Sequence, residues 1–496
     1  MLKKIISQNA FLYALLIVVG FTVSCKKSNS DPDGNGAPQG ASGTRDELTK
    51  DSIYLYAQQT YFWNVGMPSY SSFNPRQYGS NQAVLAAIKA LPSTGGKDKY
   101  SFIDDGSVAT QLGGAGEDYG FSANFDVTDL LRVKYVYPGS PADVQGLKRG
   151  YQITKVNGGG TSRSSNTDIA NLNASIFGNN PSISLTVLKP DNTTQDIVIN
   201  RGSYDIKPVL FSNTYTVGAK KVGYIVFNSF TTNSVSALEA AFTKFSTDGV
   251  TELVVDLRYN GGGSVATSEA FTNLIAPVSQ NGKVMYTTYW TKTMQDGAAT
   301  ILQNQKFYAK GNDGVTRLYS YADYSYKPTI AAGNQEVFAK RGSLNNLTRV
   351  YFIVTGGTAS ASELLINNLK PVMDVKLIGK TTYGKPVGFF SLRIDKNDLY
   401  IPQFQTKNQL DQGDYFSGMT VDKDVTDDLT KDFGNPAEKM LAQALYYSAN
   451  NTFMALAKDN ALSSTSGATR LQIDAANEKL DHEFKGMVET RKLKFK

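Results

Sequence analysis

RVYFIVTGGTASASE, residues 349–363, is the most telling stretch of the chain for its architecture. Its first half is apolar at consecutive positions rather than alternate ones, the pattern of a strand buried on both faces of a sheet. Gly356-Gly357 supplies a turn, and from Ser360 to Leu369 the apolar residues fall at helical spacing. A buried strand that turns through glycines into a helix is a unit of a layered α/β protein. The pattern recurs on either side. Residues 222–227 and 253–257 are β-rich runs, residues 235–245 and 266–275 are the helices that follow them, and residues 375–378 are a further buried strand. Residues 279–348 show no clear period and are expected to hold a hairpin and an inserted loop region.

Chemistry collects at the glycine turns. Ser360 sits at the strand-to-helix junction between Ala359 and Ala361, small neighbours that would leave it reachable by a bulky peptide. Ser360 to Glu363 also spells a capping box, in which Ser360 would accept from the Glu363 N–H, and spacing barely separates Ser360 from Ser362. A serine nucleophile needs a base. The only histidine, His482, lies in a charged C-terminal tail away from any glycine-rich loop, so a Ser-His-Asp arrangement has no credible base. Lys385, in TYGKPVG (residues 382–388), is the remaining candidate. A free lysine titrates near ~10.4, and desolvation can lower that by roughly 3–5 units. Tyr383 and Val387 offer apolar walls for it, although an ordinary solvated turn lysine fits the same residues. DLRYNGGG, residues 256–263, follows a buried strand and precedes a helix. Its glycines let backbone N–H groups approach developing negative charge. A phosphate loop would end in Gly-Lys-Ser/Thr, which this one lacks.

The chain has 496 residues, 41% hydrophobic and 19% charged, enough for several folded segments. A net charge of +6 without a basic stripe gives nucleic-acid binding no support. Residues 1–25 read as a lipoprotein signal peptide: Lys3 and Lys4, an apolar run over 11–21, then Thr-Val-Ser before Cys25. Cys25, the only cysteine, is the expected lipidation site, and no intrachain disulfide can form. Residues 26–45, rich in Gly, Ser, Pro, Asn and Asp, form a flexible tether.

Residues 46–105 read as a small helical domain whose stripe of Ile53, Tyr54, Tyr56, Ala57, Tyr61 and Phe62 is core. Residues 106–205 read as β. Within them PGSPADVQGLKRGYQITKVNG, residues 138–158, resembles a PDZ domain: Pro141 opens a short helix, Gly146 ends it, Gly150 turns, and Asn157-Gly158 makes a hairpin. That resemblance implies a groove for a peptide C-terminus, with Gly120, Phe121 and Ser122 as substrate-binding residues. Residues 206–446 are the α/β core. Residues 447–496 are a helical tail, with an amphipathic helix expected over 475–488 and no chemistry assigned.

The order of these motifs along residues 47–445, a PDZ-like segment, DLRxNxGG, TASASE and then the GK turn, resembles the carboxyl-terminal processing (tail-specific) serine peptidases. YSFID at 100–104 and GMTVD at 418–422 add to it. The resemblance implies a multidomain α/β protein: a small N-terminal helical domain, a PDZ-like β domain and a crotonase-like α/β peptidase core. It also implies Ser360 as nucleophile, Lys385 as general base, and the N–H groups of Gly262, Gly263 and Ala361 as oxyanion donors. No metal or organic cofactor is implied. Partners would be protein or peptide substrates, and the membrane through a lipid anchor in the cell envelope. Two residues depart from the family pattern. Phe389 stands where many members carry a glutamine that orients the lysine, and Pro386 follows Lys385 where GKG is common. A weak or inactive PDZ-type peptide-binding lipoprotein is the alternative.

Overall fold

The chain enters the fold at helix α1 (Arg45–Thr60), closed by reciprocal bonds between Thr44 and Glu47. The computed structural model describes residues 42–311, 313–455, 467–490 and 494–496. Cys25, the signal segment and most of the tether lie outside the described residues. Ile53, Tyr54, Tyr56, Ala57 and Tyr61 are buried and Phe62 is half-buried. With α2 (Asn81–Lys89) they join the same buried cluster as the α/β layers that follow, so the first helices share a core with those layers.

A twisted antiparallel sheet comes next, with β1 (Phe121–Phe125), β2 (Leu131–Val136), β3 (Gln152–Val156), β4 (Ser182–Leu188) and β5 (Thr194–Asn200) hydrogen-bonded in that order. Helix α3 (Asn166–Ile176) buries Ile169, Leu172 and Ile176 against it. The local grammar of 138–158 is met: Pro141–Val144 is helical, Gly146 and Gly150 have φ of 77° and 85°, and Asn157-Gly158, both left-handed, turns the hairpin.

The second sheet carries the site. It runs β6 (Val209–Val217), β7 (Lys220–Phe227), β8 (Glu252–Asp256), β11 (Arg349–Val354), β12 (Asp374–Gly379) and β15 (Lys423–Asp424). β6 is antiparallel to β7 and the remaining pairs are parallel. The consecutive apolar runs read from sequence are these central strands, covered on both faces by helices. One face takes α4 (Val235–Asp248), α5 (Val265–Ile275) and α6 (Ala361–Leu369), the other α7 (Lys439–Asn450). Between β8 and α5 lies the short strand β9 (Gly262–Ser264). The stretch without a clear period holds β10 (Val284–Trp290) and a hairpin pairing Lys306–Lys310 with Thr316–Ser320. β10 pairs with β14 (Phe404–Asn408), and β14 pairs with β13 (Val387–Gly388), just past the lysine turn.

The tail corrects an expectation. The helix is α8 (Gly467–Lys479), not 475–488, and residues 486–488 form a strand, β16 (Gly486–Val488), paired parallel with β9. Helical spacing and the side-on contacts of an inserted strand produce similar short apolar patterns, and only the partner strand distinguishes them.

Arg258 locks the end of β8. Fully buried, it reaches Asp256 at 2.7 Å, Asp427 at 2.7 Å and Glu438 at 3.0 Å, and Glu438 caps α7 by accepting from the Leu441 N–H. Arg258→Met would strand these carboxylates in the interior. The urea midpoint is expected to fall by an amount equivalent to about 3–5 kcal/mol, and an unchanged midpoint would contradict the role given to this network.

Candidate active site

Ser360 stands between β11 and α6 with φ 61° and ψ −109°, outside the conformations a serine ordinarily adopts. Long-range bonds hold it there. Thr358 donates through Oγ1 to the Leu257 carbonyl at 2.7 Å, and the Ala359 N–H donates to the Asn260 carbonyl at 3.1 Å. Ser362 donates its hydroxyl to the same Asn260 carbonyl at 3.0 Å, so that side chain is spent on joining the serine turn to the glycine loop. Ser360 Oγ is buried with no hydrogen-bond partner. Only the reciprocal half of the expected capping box forms through a side chain: the Ser360 N–H donates to Glu363 Oε2 at 2.8 Å. The expectation of an open, reachable serine is not met, because Ala359, Ser360 and Ala361 are each 0% exposed.

Lys385 is fully buried, and its ammonium is held down at about 7 by desolvation, against the opposing charges of Asp98 and Glu363. The walls are aromatic: Nζ lies 4.0 Å from the centroid of the Phe389 ring and 5.4 Å from that of Tyr100. Phe389, unable to hydrogen-bond, thus meets the lysine through its face. The hydrogen bond that fixes Nζ goes to the Lys485 carbonyl, 2.7 Å away in the tail. Ser360 Oγ has no hydrogen-bond partner and Lys385 Nζ donates to the Lys485 carbonyl, so the two share no hydrogen bond here.

Glu363 is what joins them, where spacing had marked it only as the partner of Ser360 in a capping box. Its Oε2 accepts from the N–H groups of Ser360 (2.8 Å) and Lys385 (2.8 Å), and its Oε1 from the Gly384 N–H (2.7 Å) and the Thr382 hydroxyl (2.5 Å). Burial raises its pKa and these bonds oppose the rise. The donors on both oxygens favour the charged carboxylate, which burial disfavours. Tyr100 pins the same turn by donating from its hydroxyl to the Gly384 carbonyl at 2.5 Å, which gives the YSFID motif a place at the site.

The glycine loop corrects one assignment. The Gly262 N–H is already committed to Asn260 Oδ1 at 2.9 Å and is not available to an oxyanion. Gly262 O and Ser264 N bond to Phe230 on one side of β9, so the Gly261 carbonyl and the Gly263 N–H point to the other side. On that side lies β16: the Gly486 N–H donates to the Gly261 carbonyl at 3.0 Å, and the parallel register sets the Gly486 carbonyl toward the Gly263 N–H.

The remaining predicted residues lie elsewhere. His482 stacks on Phe177 with centroids 4.3 Å apart and contacts Asn173, on α3 and its end. The Gly120 N–H is taken by Asp118 at 2.7 Å, Phe121 pairs with Val136, and Ser122 donates to Glu483 of the tail at 3.2 Å. Among the described residues no helix is long and apolar enough to cross a membrane.

Residues 221–426, which hold both the serine turn and the lysine turn, match the model of Peptidase family S41. The match covers the central α/β sheet from β7 to β15 together with both glycine turns. It is 25% identical over 288 residues to a "C-terminal processing peptidase, chloroplastic" of Tetradesmus obliquus, covering 55% of this chain and 52% of that protein. A CtpA-like serine protease assigned in Staphylococcus aureus (strain COL) is 24% identical over 356 residues, covering 71% of this chain and 60% of that one. The chain thus spans between half and two thirds of the length of these curated relatives. A crystal structure assigned to the S41 proteases of Bacteroides fragilis NCTC 9343 superposes with a TM-score of 0.60 at 25% identity, covering 84% of this chain and 100% of that one.

Proposed function

We propose that this protein is a cell-envelope serine endopeptidase that hydrolyses peptide bonds through a Ser360–Lys385 dyad. The observation that carries the reading is the pairing of an unpartnered Ser360 Oγ with a buried lysine held near neutrality, both hung on Glu363. In the reaction Lys385, neutral and turned from the Lys485 carbonyl to Ser360, takes the hydroxyl proton as Oγ adds to the substrate carbonyl carbon. The N–H groups of Gly263 and Ala361 receive the oxyanion. The proton passes to the leaving amine, and water then hydrolyses the acyl-serine by the same route.

Residues 106–205 are assigned as a PDZ-like module that recognises C-terminal or unstructured segments. Residues 46–105 are assigned as a helical support, 206–446 as the peptidase core, and Cys25 as the lipid anchor. A peptide-binding lipoprotein without activity is the second reading, favoured by the missing bond between Ser360 Oγ and Lys385 Nζ.

The test is digestion of an unfolded protein by the chain lacking residues 1–25, beside Ser360→Ala. Fragments from the parent alone support the peptidase. An inert parent that still binds C-terminal peptides supports the second reading.

A further inference from the structure

The cleft is filled by the chain's own C-terminus. β16 lies between β9 and the segment after the lysine turn, bonded on both sides. Gly486 N–H donates to the Gly261 carbonyl, Phe389 N–H to the Met487 carbonyl at 3.0 Å, and Glu489 N–H to the Phe389 carbonyl at 2.9 Å. Gly262, Gly263 and Ser264 register with Gly486, Met487 and Val488. The walls fit a backbone. A Cβ on Gly261 would come within 2.0 Å of the Phe484 carbonyl oxygen, one on Gly262 within 2.4 Å of the Gly486 oxygen, and one on Gly388 within 2.7 Å of the Met487 oxygen. Gly261 and Gly262 thus leave room for an extended strand, and Gly388 for that strand and the Phe404 ring. The same Cβ on Gly262 would lie 2.9 Å from the Ala361 nitrogen, which puts the Gly486 carbonyl at the mouth of the proposed oxyanion site.

The strand is strapped at both ends. Upstream, Ile473, Ala476 and Leu480 are buried in the core of the β1–β5 sheet, and Asn477 bonds both the N–H (2.8 Å) and the carbonyl (2.9 Å) of Phe125. Glu483 receives Lys134 Nζ at 2.7 Å, the Tyr135 hydroxyl at 3.1 Å and the Ser122 hydroxyl at 3.2 Å. Downstream, the Ser325 N–H donates to the Lys494 carbonyl at 2.9 Å, and Phe495 stacks on Tyr319 with centroids 4.0 Å apart. Helix α8 therefore lies along β1 and α3, over the face where the PDZ-like groove was expected.

We propose that residues 483–489 are a pseudosubstrate: an extended strand seated in cis in the peptide-binding cleft, which must leave before another polypeptide can add as a strand beside β9. Two consequences follow from the contacts. The strand takes the hydrogen bond of Lys385 Nζ through its Lys485 carbonyl, 2.7 Å away. It also gives the register of an incoming chain, parallel to β9 with the carbonyl of the cleaved bond where that of Gly486 now lies. The inference rests on the peptidase reading for its meaning, but the occupancy can be tested without activity.

Two full-chain variants loosen the strand at different places. Gly486→Pro removes the N–H that bonds Gly261, and Glu483→Lys sets a second ammonium against Lys134. Each is first checked for a cooperative melt. Relative to the parent, kcat/KM on an unfolded protein is expected to rise at least tenfold in both, and a peptide of sequence DHEFKGMVET (residues 481–490) added in trans should restore competitive inhibition. Binding is read separately in Ser360→Ala chains. The fluorescently labelled peptide should bind when Gly486→Pro is also present and not when the tail is native. Measurable hydrolysis at the parent's rate in both variants, or peptide binding that does not depend on the tail, would overturn the proposal. So would a parent recovered cut at Gly486–Met487, since the strand would then be a consumed substrate. If no form hydrolyses protein yet the binding difference holds, the pseudosubstrate stands and the peptidase reading falls.

Discussion

Lys385→Met is expected to lower kcat by on the order of 10³-fold, inside the range a positioned proton acceptor contributes, while leaving the melting temperature unchanged or higher. The two effects part because the lysine is fully buried beside aromatic rings and its ammonium is already strained by desolvation, so a methionine of similar shape costs little in packing. The pH profile carries the sharper test. The base acts when neutral, and with a pKa of about 7 the parent's kcat/KM should climb with pH to a plateau above that value. In Lys385→Met this arm should vanish from the residual activity. An arm that persists near neutrality would assign proton transfer to another group.

Glu363→Gln should cost more than its size suggests. The side chain would put an amide NH2 where one oxygen now accepts two donors. Either the Ser360 and Lys385 N–H groups, or the Gly384 N–H and Thr382 hydroxyl, would face a donor. A buried donor without a partner costs roughly 1–3 kcal/mol, and a comparable fall in the unfolding free energy is expected. Small displacements of reacting groups can cost about 10²-fold in rate, so kcat should fall by about that factor with KM changed far less. One readout separates positioning from mere destabilisation. Glu363 is among the charges that raise the Lys385 pKa, so its neutralisation should move the rising arm of the pH profile below about 7. A variant that loses stability but keeps the arm in place would reduce Glu363 to scaffolding.

Much of the fold could be read locally, because periodicity is a local property. The consecutive apolar residues of β7, β8 and β11 state that both faces of each strand are covered, and the glycine turns after them place the βα junctions. The hairpin at Asn157-Gly158 was legible for the same reason, since only certain residues tolerate left-handed backbone. Residues 279–348 were not, because β10 finds its partner at 404–408, over a hundred residues further along the chain.

The candidate site divides in the same way. Residue identity alone supplied the cast: a serine at a strand-to-helix turn, a lysine in a glycine turn, a glycine loop before a helix, and a lone histidine with no such neighbour. These follow from residue identity and short spacing. What each group bonds emerged with the folded chain. It spent the Ser362 hydroxyl on Asn260 and left Ser360 Oγ unpartnered, and it committed the Gly262 N–H to an Asn260 side chain. It made Glu363 the tie between serine and lysine, and it laid residues 486–488 along β9 where a helix was expected. The physical reason is that a hydrogen bond depends on which atoms the folded chain brings within about 3 Å. For partners a hundred residues apart, such as Lys385 and the Lys485 carbonyl, no local pattern records that encounter.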